Sequence, residues 1–363
     1  MIRMPWTDST TPNVMIEIAD ACNLACRACY KKTYSHIKSL AEIRQDLKTA
    51  MKLRRLHTVT ISGGEPTLHP NLCAVVEMIK QKGFHVFLLT NGVLVDEVFL
   101  GRLKQAGLDS ILFHVDLGQK RPDLPEGATF SDVQKRLDEL VALASSFNID
   151  TSLSFTLYED GDEAKICSYF LKSPKPSFLF LSSATDLKAF YASINKRPNN
   201  SAPYRARTIG KIEQFLKDQY GVEPFAYIPT RSGKDTVWIS YFIPVVYARK
   251  GVRLYNYFSN WIDVFLMKAV KFFTGRYIHK TTHNVFITSL RVFLNGVSSL
   301  RIVAAIKFLV QSWASGAELR HKMIVYDEGP FVTDGNEVEY CEYCPTAIVR
   351  NGGLLSCCTA DYR

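Results

Sequence analysis

The chain has 363 residues, of which 47% are hydrophobic and 22% charged, so it can bury a sizeable core and lies near the upper size of a single domain. This composition excludes a disordered chain, a collagen-like repeat and a disulfide-stapled miniprotein. The first residues contain no apolar run of the signal-peptide type, which predicts a reducing, cytoplasmic compartment. No uncharged apolar stretch of about 18 residues occurs, which argues against a membrane-spanning helix.

The net charge of +9 is concentrated in one segment. Residues 249–322 hold twelve Lys and Arg against two acids, a net charge of +10, whereas the rest of the chain, with 32 bases and 33 acids, carries −1. The polar, proline-broken stretch at 195–203 is typical of a connecting loop. We therefore expect three parts: a core over residues 1–185, a basic helical domain over 205–325 that covers its open face, and a C-terminal cysteine segment over 326–363.

The first 181 residues alternate short β-branched runs with longer amphipathic stretches, which is typical of parallel βα units. Strands are predicted at 14–18, 58–61, 86–89, 110–115, 151–156 and 177–181. Helices are predicted near 39–55, 71–82, 96–106, 131–147 and 162–172, with Ser39 and Ser131 as N-caps. Periodicity is compatible with an open sheet or a partial barrel, and both place active residues at the carboxyl ends of the strands. Beyond residue 205, the patterns predict a strand or hairpin at 235–247 and helices at 206–219, 256–274, 283–295 and 299–314.

A first group of cysteines, Cys22, Cys26 and Cys29, directly follows the first predicted strand. Three thiolates on a 4Fe-4S cluster leave one iron open to bind a small molecule, whereas structural metal sites are closed by four protein ligands. Zinc, or three loop cysteines without a metal, fits the same spacing. Spacing alone leaves these three interpretations open.

Together with other motifs, this Cys-x3-Cys-x2-Cys loop resembles the signature of the radical S-adenosylmethionine (radical SAM) enzymes. Gly63-Gly64-Glu65-Pro66 ends the second predicted strand, as the methionine-binding GGE motif of that family does. Thr90-Asn91-Gly92 ends the third strand and His114-Val115-Asp116 ends the fourth. The resemblance covers about residues 12–181. It departs from the family pattern at Ala28, where an aromatic residue is frequent, although Tyr30 follows the third cysteine.

The resemblance implies an α/β fold with a partial (β/α)6 TIM-like barrel, followed by the α-rich basic domain and the small cysteine segment. It implies a 4Fe-4S cluster on the three cysteines, an open iron that binds the methionine part of SAM, and an electron donor such as flavodoxin or ferredoxin. The reduced cluster would cleave SAM to a 5′-deoxyadenosyl radical that abstracts hydrogen from a substrate. The cofactor-binding residues it implies are Gly63, Gly64, Glu65, Pro66, Thr90, Asn91, His114 and Asp116. It assigns no further catalytic residue.

A second group of cysteines lies near the end of the chain: Cys341 and Cys344, then Cys357 and Cys358 after Gly352-Gly353. This pattern resembles the auxiliary-cluster segments (SPASM or twitch type) of many radical SAM enzymes, but is shorter than the seven-cysteine SPASM form. It predicts a further Fe-S cluster on Cys341, Cys344 and Cys357, with Cys358 as an additional candidate. A four-thiolate zinc site fits the same spacing.

The remaining cysteines and histidines carry weaker signals. Cys73 and Cys167 each stand alone in a predicted helix and are expected to be buried small residues. His69 and His114 follow strand ends, where chemistry is expected. His279 and His283 are spaced four apart and are expected on a solvated helix face rather than at a metal.

The basic residues of 249–322 are spread singly among apolar ones, which favours an amphipathic helix at an interface over a nucleic-acid groove. In residues 299–313, Arg301 and Lys307 border a broad apolar surface that ends near Trp313. A buried helix of a substrate-capping domain would look similar. We expect a hydrophobic or lipid-like substrate and peripheral membrane contact. A peptide substrate is the alternative, and a non-catalytic metal-stapled protein that binds membrane or nucleic acid is a third hypothesis.

Overall fold

A computed structural model describes residues 1–32, 35–185, 190, 209–248, 251–255, 260–279, 284–314, 316–333 and 337–361. The strands are β1 (Ile2–Arg3), β2 (Asn13–Ala19), β3 (Thr58–Gly63), β4 (His85–Thr90), β5 (Ser110–His114), β6 (Asp150–Leu157), β7 (Phe178–Ser183), β8 (Ala226–Pro229), β9 (Thr236–Ala248), β10 (Gly251–Leu254), β11 (Glu318–Asp327), β12 (Phe331–Val332), β13 (Val338–Glu339), β14 (Ala347–Arg350) and β15 (Gly353–Ser356). The helices are α1 (Leu40–Leu53), α2 (Leu72–Lys80), α3 (Glu97–Gln105), α4 (Phe130–Ser146), α5 (Asp162–Lys172), α6 (Ile209–Tyr220), α7 (Asn260–Thr274), α8 (Val285–Ser298), α9 (Ile302–Ala314) and α10 (Cys357–Ala360).

Strands β2 to β7 pair in parallel and in chain order, as expected for βα units that wind in one direction. Their outward side chains pack on the intervening helices in one apolar core, and their inward side chains surround a cavity. This is the predicted α/β partial barrel, and all six predicted strands are confirmed.

Helix boundaries follow the capping residues. Ser39 caps α1 as predicted, because its hydroxyl accepts from the backbone N–H of Glu42. The Ser131 prediction was wrong. The N-cap of α4 is Thr129, two residues earlier, and the carboxylate of Asp132 accepts from the backbone N–H of Thr129 at 2.8 Å.

The sheet extends beyond β7 on one side and beyond β2 on the other. Strand β11 pairs in parallel with β7, and β9 pairs antiparallel with β11. At the opposite edge β14 pairs with β2 and forms a hairpin with β15. The segment predicted as an α-rich domain therefore also contributes strands to the sheet of the barrel. The predicted connecting loop at 195–203 lies outside the described residues.

Helices α8 and α9 form a hairpin that packs on the far ends of β9 and β11. Val246, Leu319 and Tyr255 meet Val292 and Leu309 in this small cluster. A Cβ at Gly296 would lie 2.3 Å from the Cβ of Ala305, so glycine permits the close approach of the two helices. Among the helices described, none has the length and apolarity to cross a bilayer.

Candidate active site

A cavity of about 270 Å³ lies inside the barrel and reaches the carboxyl ends of the strands. Cys22, Cys26 and Cys29 line it together with Cys357 and Cys358. The fold thus brings both cysteine groups, from opposite ends of the chain, to one space. This position agrees with the rule that active residues of parallel βα sheets lie at the carboxyl ends of strands.

The first cysteines lie in the loop between β2 and α1, which hydrogen bonds tie to the neighbouring strand ends. The backbone N–H of Arg27 donates to the carbonyl of Gly118 at 2.8 Å, and the amide of Asn91 donates to the side-chain oxygen of Asn23 at 2.7 Å. The three thiols are half-exposed. Burial and, to a smaller extent, the neighbouring Cys29 raise the pKa of Cys26 to about 12.

The arrangement of these thiols is compatible with an iron-sulfur cluster. None of the nine cysteines, all within the described residues, forms a disulfide. Among those residues, no three His, Cys, Asp or Glu side chains converge tightly enough for one metal ion. A 4Fe-4S cluster is several atoms wide, so its thiolates stand farther apart than ligands of one ion. Three thiols that line one cavity satisfy this looser requirement, so Cys22, Cys26 and Cys29 would hold such a cluster.

Gly63 and Gly64 lie where the cysteine loop packs closely against the end of β3. A Cβ at Gly63 would lie 2.2 Å from the carbonyl oxygen of Ala19, and one at Gly64 would lie 2.3 Å from that of Ala21. The backbone N–H of Gly64 donates to Ala19 at 2.7 Å. Glycine is therefore required at both positions for the two backbone segments to meet.

The carboxylate of Glu65 connects the ends of β3 and β4. One oxygen accepts from the hydroxyls of Thr67 and Thr90, both at 2.7 Å, and from the backbone N–H of Thr67 at 3.0 Å. The other accepts from the backbone N–H of Asn91 at 2.8 Å. Glu65 is almost fully buried, and these bonds compensate its desolvation. Pro66, Thr90 and Asn91 line the cavity beside it.

At the end of β5, His114 lines the cavity and Asp116 lies behind it. The Nε2 of His114 donates to Asp116 at 2.8 Å, and Thr156 lies 3.2 Å from the same nitrogen. The buried carboxylate of Asp116 also accepts from the backbone N–H of Gly118 at 2.8 Å. Of the eight predicted cofactor-binding residues, seven line the cavity, and Asp116 contacts it only through His114.

Comparison with known proteins agrees with this arrangement. A family model described as "Radical SAM superfamily" matches residues 16–160, which include the three cysteines, the Gly-Gly-Glu turn and the polar strand ends. The chain carries a radical SAM domain. Radical SAM enzymes use a 4Fe-4S cluster and SAM, as the resemblance implied.

Several relatives share this domain over part of their length. Two are the tungsten-containing aldehyde ferredoxin oxidoreductase cofactor-modifying protein of Pyrococcus furiosus, 32% identical over 28% of this chain and 30% of that protein, and the GTP 3′,8-cyclase of Chlorobaculum tepidum, 32% identical over 38% and 43%. The matches thus span less than half of either relative. Among solved structures, SuiB of Streptococcus suis bound to the precursor peptide SuiA has a TM-score of 0.44 at 13% identity, over 58% of this chain and 46% of that one.

The second cysteine group gathers around two hydroxyls of the β14–β15 hairpin, beside the radical SAM domain. The hydroxyl of Ser356 lies 3.5 Å from the sulfur of Cys344, 3.1 Å from that of Cys358 and 4.0 Å from that of Cys341. Cys341 and Cys344 are buried, whereas Cys357 and Cys358 are half-buried and line the cavity.

The hydroxyl of Thr346 completes this group. It lies 3.1 Å from the sulfur of Cys344 and 3.3 Å from that of Cys357. Burial opposes ionisation of Cys344, but hydrogen bonds from Cys341, Ser356 and Thr346 lower its pKa to about 6. All four sulfurs therefore lie within reach of two neighbouring hydroxyls.

Tyr30 lies between the two cysteine groups. It packs against the same two small apolar clusters as Cys357 and Cys358 do, and its hydroxyl donates to the carbonyl of Gly63 at 3.4 Å. The tyrosine that follows the third cysteine thus joins the radical SAM loop to the C-terminal segment.

A buried ionic cluster connects the C-terminal segment to the cysteine loop that follows β2. The ammonium of Lys31 lies 3.0 Å from Glu17, 2.9 Å from Asp20 and 3.5 Å from Asp361. Arg350 also pairs with Glu17 and Asp361. Sequence analysis missed this cluster, because its members are far apart in the chain and no local motif connects them.

The cavity also has a largely apolar wall, which sequence analysis missed. This wall includes Met15, Phe87, Leu89, Leu112, Phe178, Phe180 and Trp238. The signal was present in the strands, which are apolar at both odd and even positions. Because side chains alternate faces along a strand, every second residue of such a strand faces inward.

The other histidine and cysteine predictions have mixed outcomes. His69 does not reach the cavity, because its Nε2 donates to the carbonyl of Lys38 at 2.8 Å and its Nδ1 accepts from the backbone of Asn71 at 3.1 Å. His279 lies beyond the end of α7 and lines the cavity, so its predicted place on a helix face was wrong; His283 lies outside the described residues. Cys167 is buried as predicted, and Cys73 is half-buried against the core.

Proposed function

We propose that the protein is a radical SAM enzyme that acts on a hydrophobic, lipid-like substrate. The main support is the shared cavity, in which the three cysteines, the Gly-Gly-Glu turn and the apolar wall meet. When bound, the reduced cluster and SAM supply a 5′-deoxyadenosyl radical that removes a hydrogen atom from the substrate.

In this proposal each residue has a defined task. Cys22, Cys26 and Cys29 would hold the cluster, which with three protein ligands would keep one iron available to SAM. Gly63 and Gly64 let the cysteine loop pack against the end of β3, which places the Gly-Gly-Glu turn beside the charged end of SAM. Glu65 acts as a positioning residue, since its carboxylate is already engaged by Thr67, Thr90 and Asn91.

The polar strand ends hold the other parts of SAM. Thr90, Asn91 and His114 supply hydrogen-bonding groups at the cavity, and Asp116 fixes the ring of His114. The apolar wall includes a few polar side chains, among them Asn13, Thr60 and Ser182, so it offers a charged substrate few partners. That wall favours an apolar substrate carbon near the reacting end of SAM.

The substrate class can be tested by isotope transfer. Cells that produce the protein are grown in deuterated medium, and their lipid and peptide fractions are supplied separately to unlabelled, reconstituted enzyme with SAM and reductant. Because the radical takes a hydrogen atom from the substrate, we expect deuterium in 5′-deoxyadenosine with the lipid fraction only. Deuterium transferred from the peptide fraction alone would contradict a lipid-like substrate and support the peptide alternative.

We further propose that Cys341, Cys344 and Cys357, with Cys358 as a fourth candidate, hold an auxiliary Fe-S cluster. The support is their convergence on Ser356 and Thr346 at the wall of the cavity. A cluster there would lie beside the substrate space, with Tyr30 between it and the first cysteine loop.

Iron counting tests this proposal. After anaerobic reconstitution, the wild type is expected to hold about eight iron atoms per chain, one 4Fe-4S cluster for each cysteine group. The Cys341→Ala/Cys344→Ala variant and the Cys22→Ala/Cys26→Ala variant are each expected to keep about four. Zinc in place of iron at the C-terminal cysteines, or unchanged iron in the first variant, would contradict the auxiliary cluster.

A further inference from the structure

Helices α8 and α9 expose a wide apolar stripe. The buried face of α8 includes Val292 as well as Thr288 and Asn295, and that of α9 includes Leu309 as well as Ser312. The exposed side chains follow helical spacing and are almost all apolar: Phe286, Leu290, Phe293 and Val297 on α8, and Val303, Ile306, Val310 and Trp313 on α9. A helix of a water-soluble domain buries its apolar stripe, so an apolar stripe left exposed on two neighbouring helices indicates an apolar medium outside the protein.

Helix α7 adds aromatic side chains to this surface. Phe265 is 61% exposed, and Phe272 and Phe273 are each 83% exposed. Leu300, in the turn between α8 and α9, is 93% exposed. These helices contact one another in sequence, α7 with α8 and α8 with α9, and we call their exposed apolar side chains the apolar helix face. No single helix of this face is long and apolar enough to span a bilayer, so the face suits contact in the plane of an interface.

The charges at this face identify its partner. Residues 260–314 contain seven Lys and Arg and one acid, Asp263. Asp263 is buried and accepts from Arg291 at 2.7 Å, so it does not offset the charge at the surface. Lys268, Arg301 and Lys307 are exposed among the apolar side chains. Apolar side chains flanked by cations match a lipid bilayer that carries anionic headgroups.

The same charges argue against a second copy of this chain or a nucleic acid as the partner of the apolar helix face. In a dimer formed through this face, the cations of one copy would meet those of the other with no exposed acid between them. A nucleic acid would leave the phenylalanines and leucines of the face in water. We propose that the apolar helix face binds the surface of an anionic bilayer, where an apolar substrate would be concentrated. This proposal does not rest on the radical chemistry, because membrane binding can be measured without SAM or reductant.

The experiment is flotation of the full chain with vesicles. The wild type is expected to float with phosphatidylcholine vesicles that contain phosphatidylglycerol, and at least about tenfold less with phosphatidylcholine alone. Val303→Asp should reduce flotation by at least about tenfold, because it places a carboxylate in the acyl boundary. The matched control is Val98→Asp on α3, since Val98 is 71% exposed and Val303 is 76% exposed.

A charge variant tests whether the cations of the face recognise anionic lipid. Arg301→Glu/Lys307→Glu should lose binding to the anionic vesicles, whereas Lys52→Glu, at an exposed position of α1, should not. Thermal unfolding should be the same for all four variants, because every substituted side chain is exposed. Equal flotation of Val303→Asp and Val98→Asp would overturn the proposal. The proposal would also be overturned if the wild type did not float with either kind of vesicle. A wild-type dimer that dissociates in the Val303→Asp variant would overturn it as well.

Discussion

Replacement of Cys26 by alanine is expected to reduce the formation of 5′-deoxyadenosine to the level seen without protein. Cys26 lies between Cys22 and Cys29 in the loop, and the three thiols line the cavity together. With two thiolates the cluster loses one of its protein ligands, and no other cysteine lies in the same loop. The measurement is chromatographic assay of 5′-deoxyadenosine after anaerobic incubation with SAM and reductant.

The matched control is Cys73→Ala in α2. Cys73 is half-buried against the core and does not line the cavity, so its thiol can be removed with little effect on the site. This variant should form 5′-deoxyadenosine as fast as the wild type. Activity retained in Cys26→Ala would contradict the assigned ligand set.

The second large effect is expected at Gly64. In Gly64→Ala the new Cβ would lie 2.3 Å from the carbonyl oxygen of Ala21, so the backbone must shift where the cysteine loop meets β3. We expect a loss of about 1–3 kcal/mol in the free energy of unfolding. SAM cleavage should fall by about 100-fold, because small displacements of positioning groups cost about that much.

Gly210→Ala provides the control for this prediction. Gly210 lies in the first turn of α6, and a Cβ there would meet no atom within 4 Å. Alanine is the better helix former, so this variant should be as stable as the wild type or slightly more stable. Denaturant unfolding and the 5′-deoxyadenosine assay together separate the two variants. If Gly64→Ala behaved like Gly210→Ala, the close approach at Gly64 would have no functional role.

The sequence was sufficient to predict the barrel strands. Runs such as 86–89 and 151–156 are short, β-branched and bounded by turn residues, and each lies within a strand of the structure. The motifs at their carboxyl ends could be placed together because parallel strands end at one edge of a sheet. This is why Cys22, Glu65 and Asn91 were expected in one site.

What the sequence did not predict depends on contacts between distant residues. The pairing of β11 with β7 and of β14 with β2 joins segments that no local pattern relates. The roles of Tyr30 and Lys31 depend on partners near the end of the chain. His69 was misjudged because its position after a motif says nothing of the carbonyl of Lys38, which fixes its ring.

The apolar helix face was foreseen only in part. The spacing of Arg301, Lys307 and Trp313 suggested an interface, yet the same spacing suits a buried helix. The structure distinguishes an interface helix from a buried one, because Thr288 and Asn295 are buried whereas Phe286 and Val303 are exposed. The exposed side of a helix depends on its neighbours, and the neighbours here are β9 and β11.

The most direct test of the account is whether the wild-type protein cleaves SAM reductively. The protein is reconstituted anaerobically with iron and sulfide, then incubated with SAM in the presence and absence of reductant, and 5′-deoxyadenosine is measured. The account predicts 5′-deoxyadenosine only when reductant is present. A protein that holds its cluster on Cys22, Cys26 and Cys29 and still forms no 5′-deoxyadenosine with reductant would contradict it.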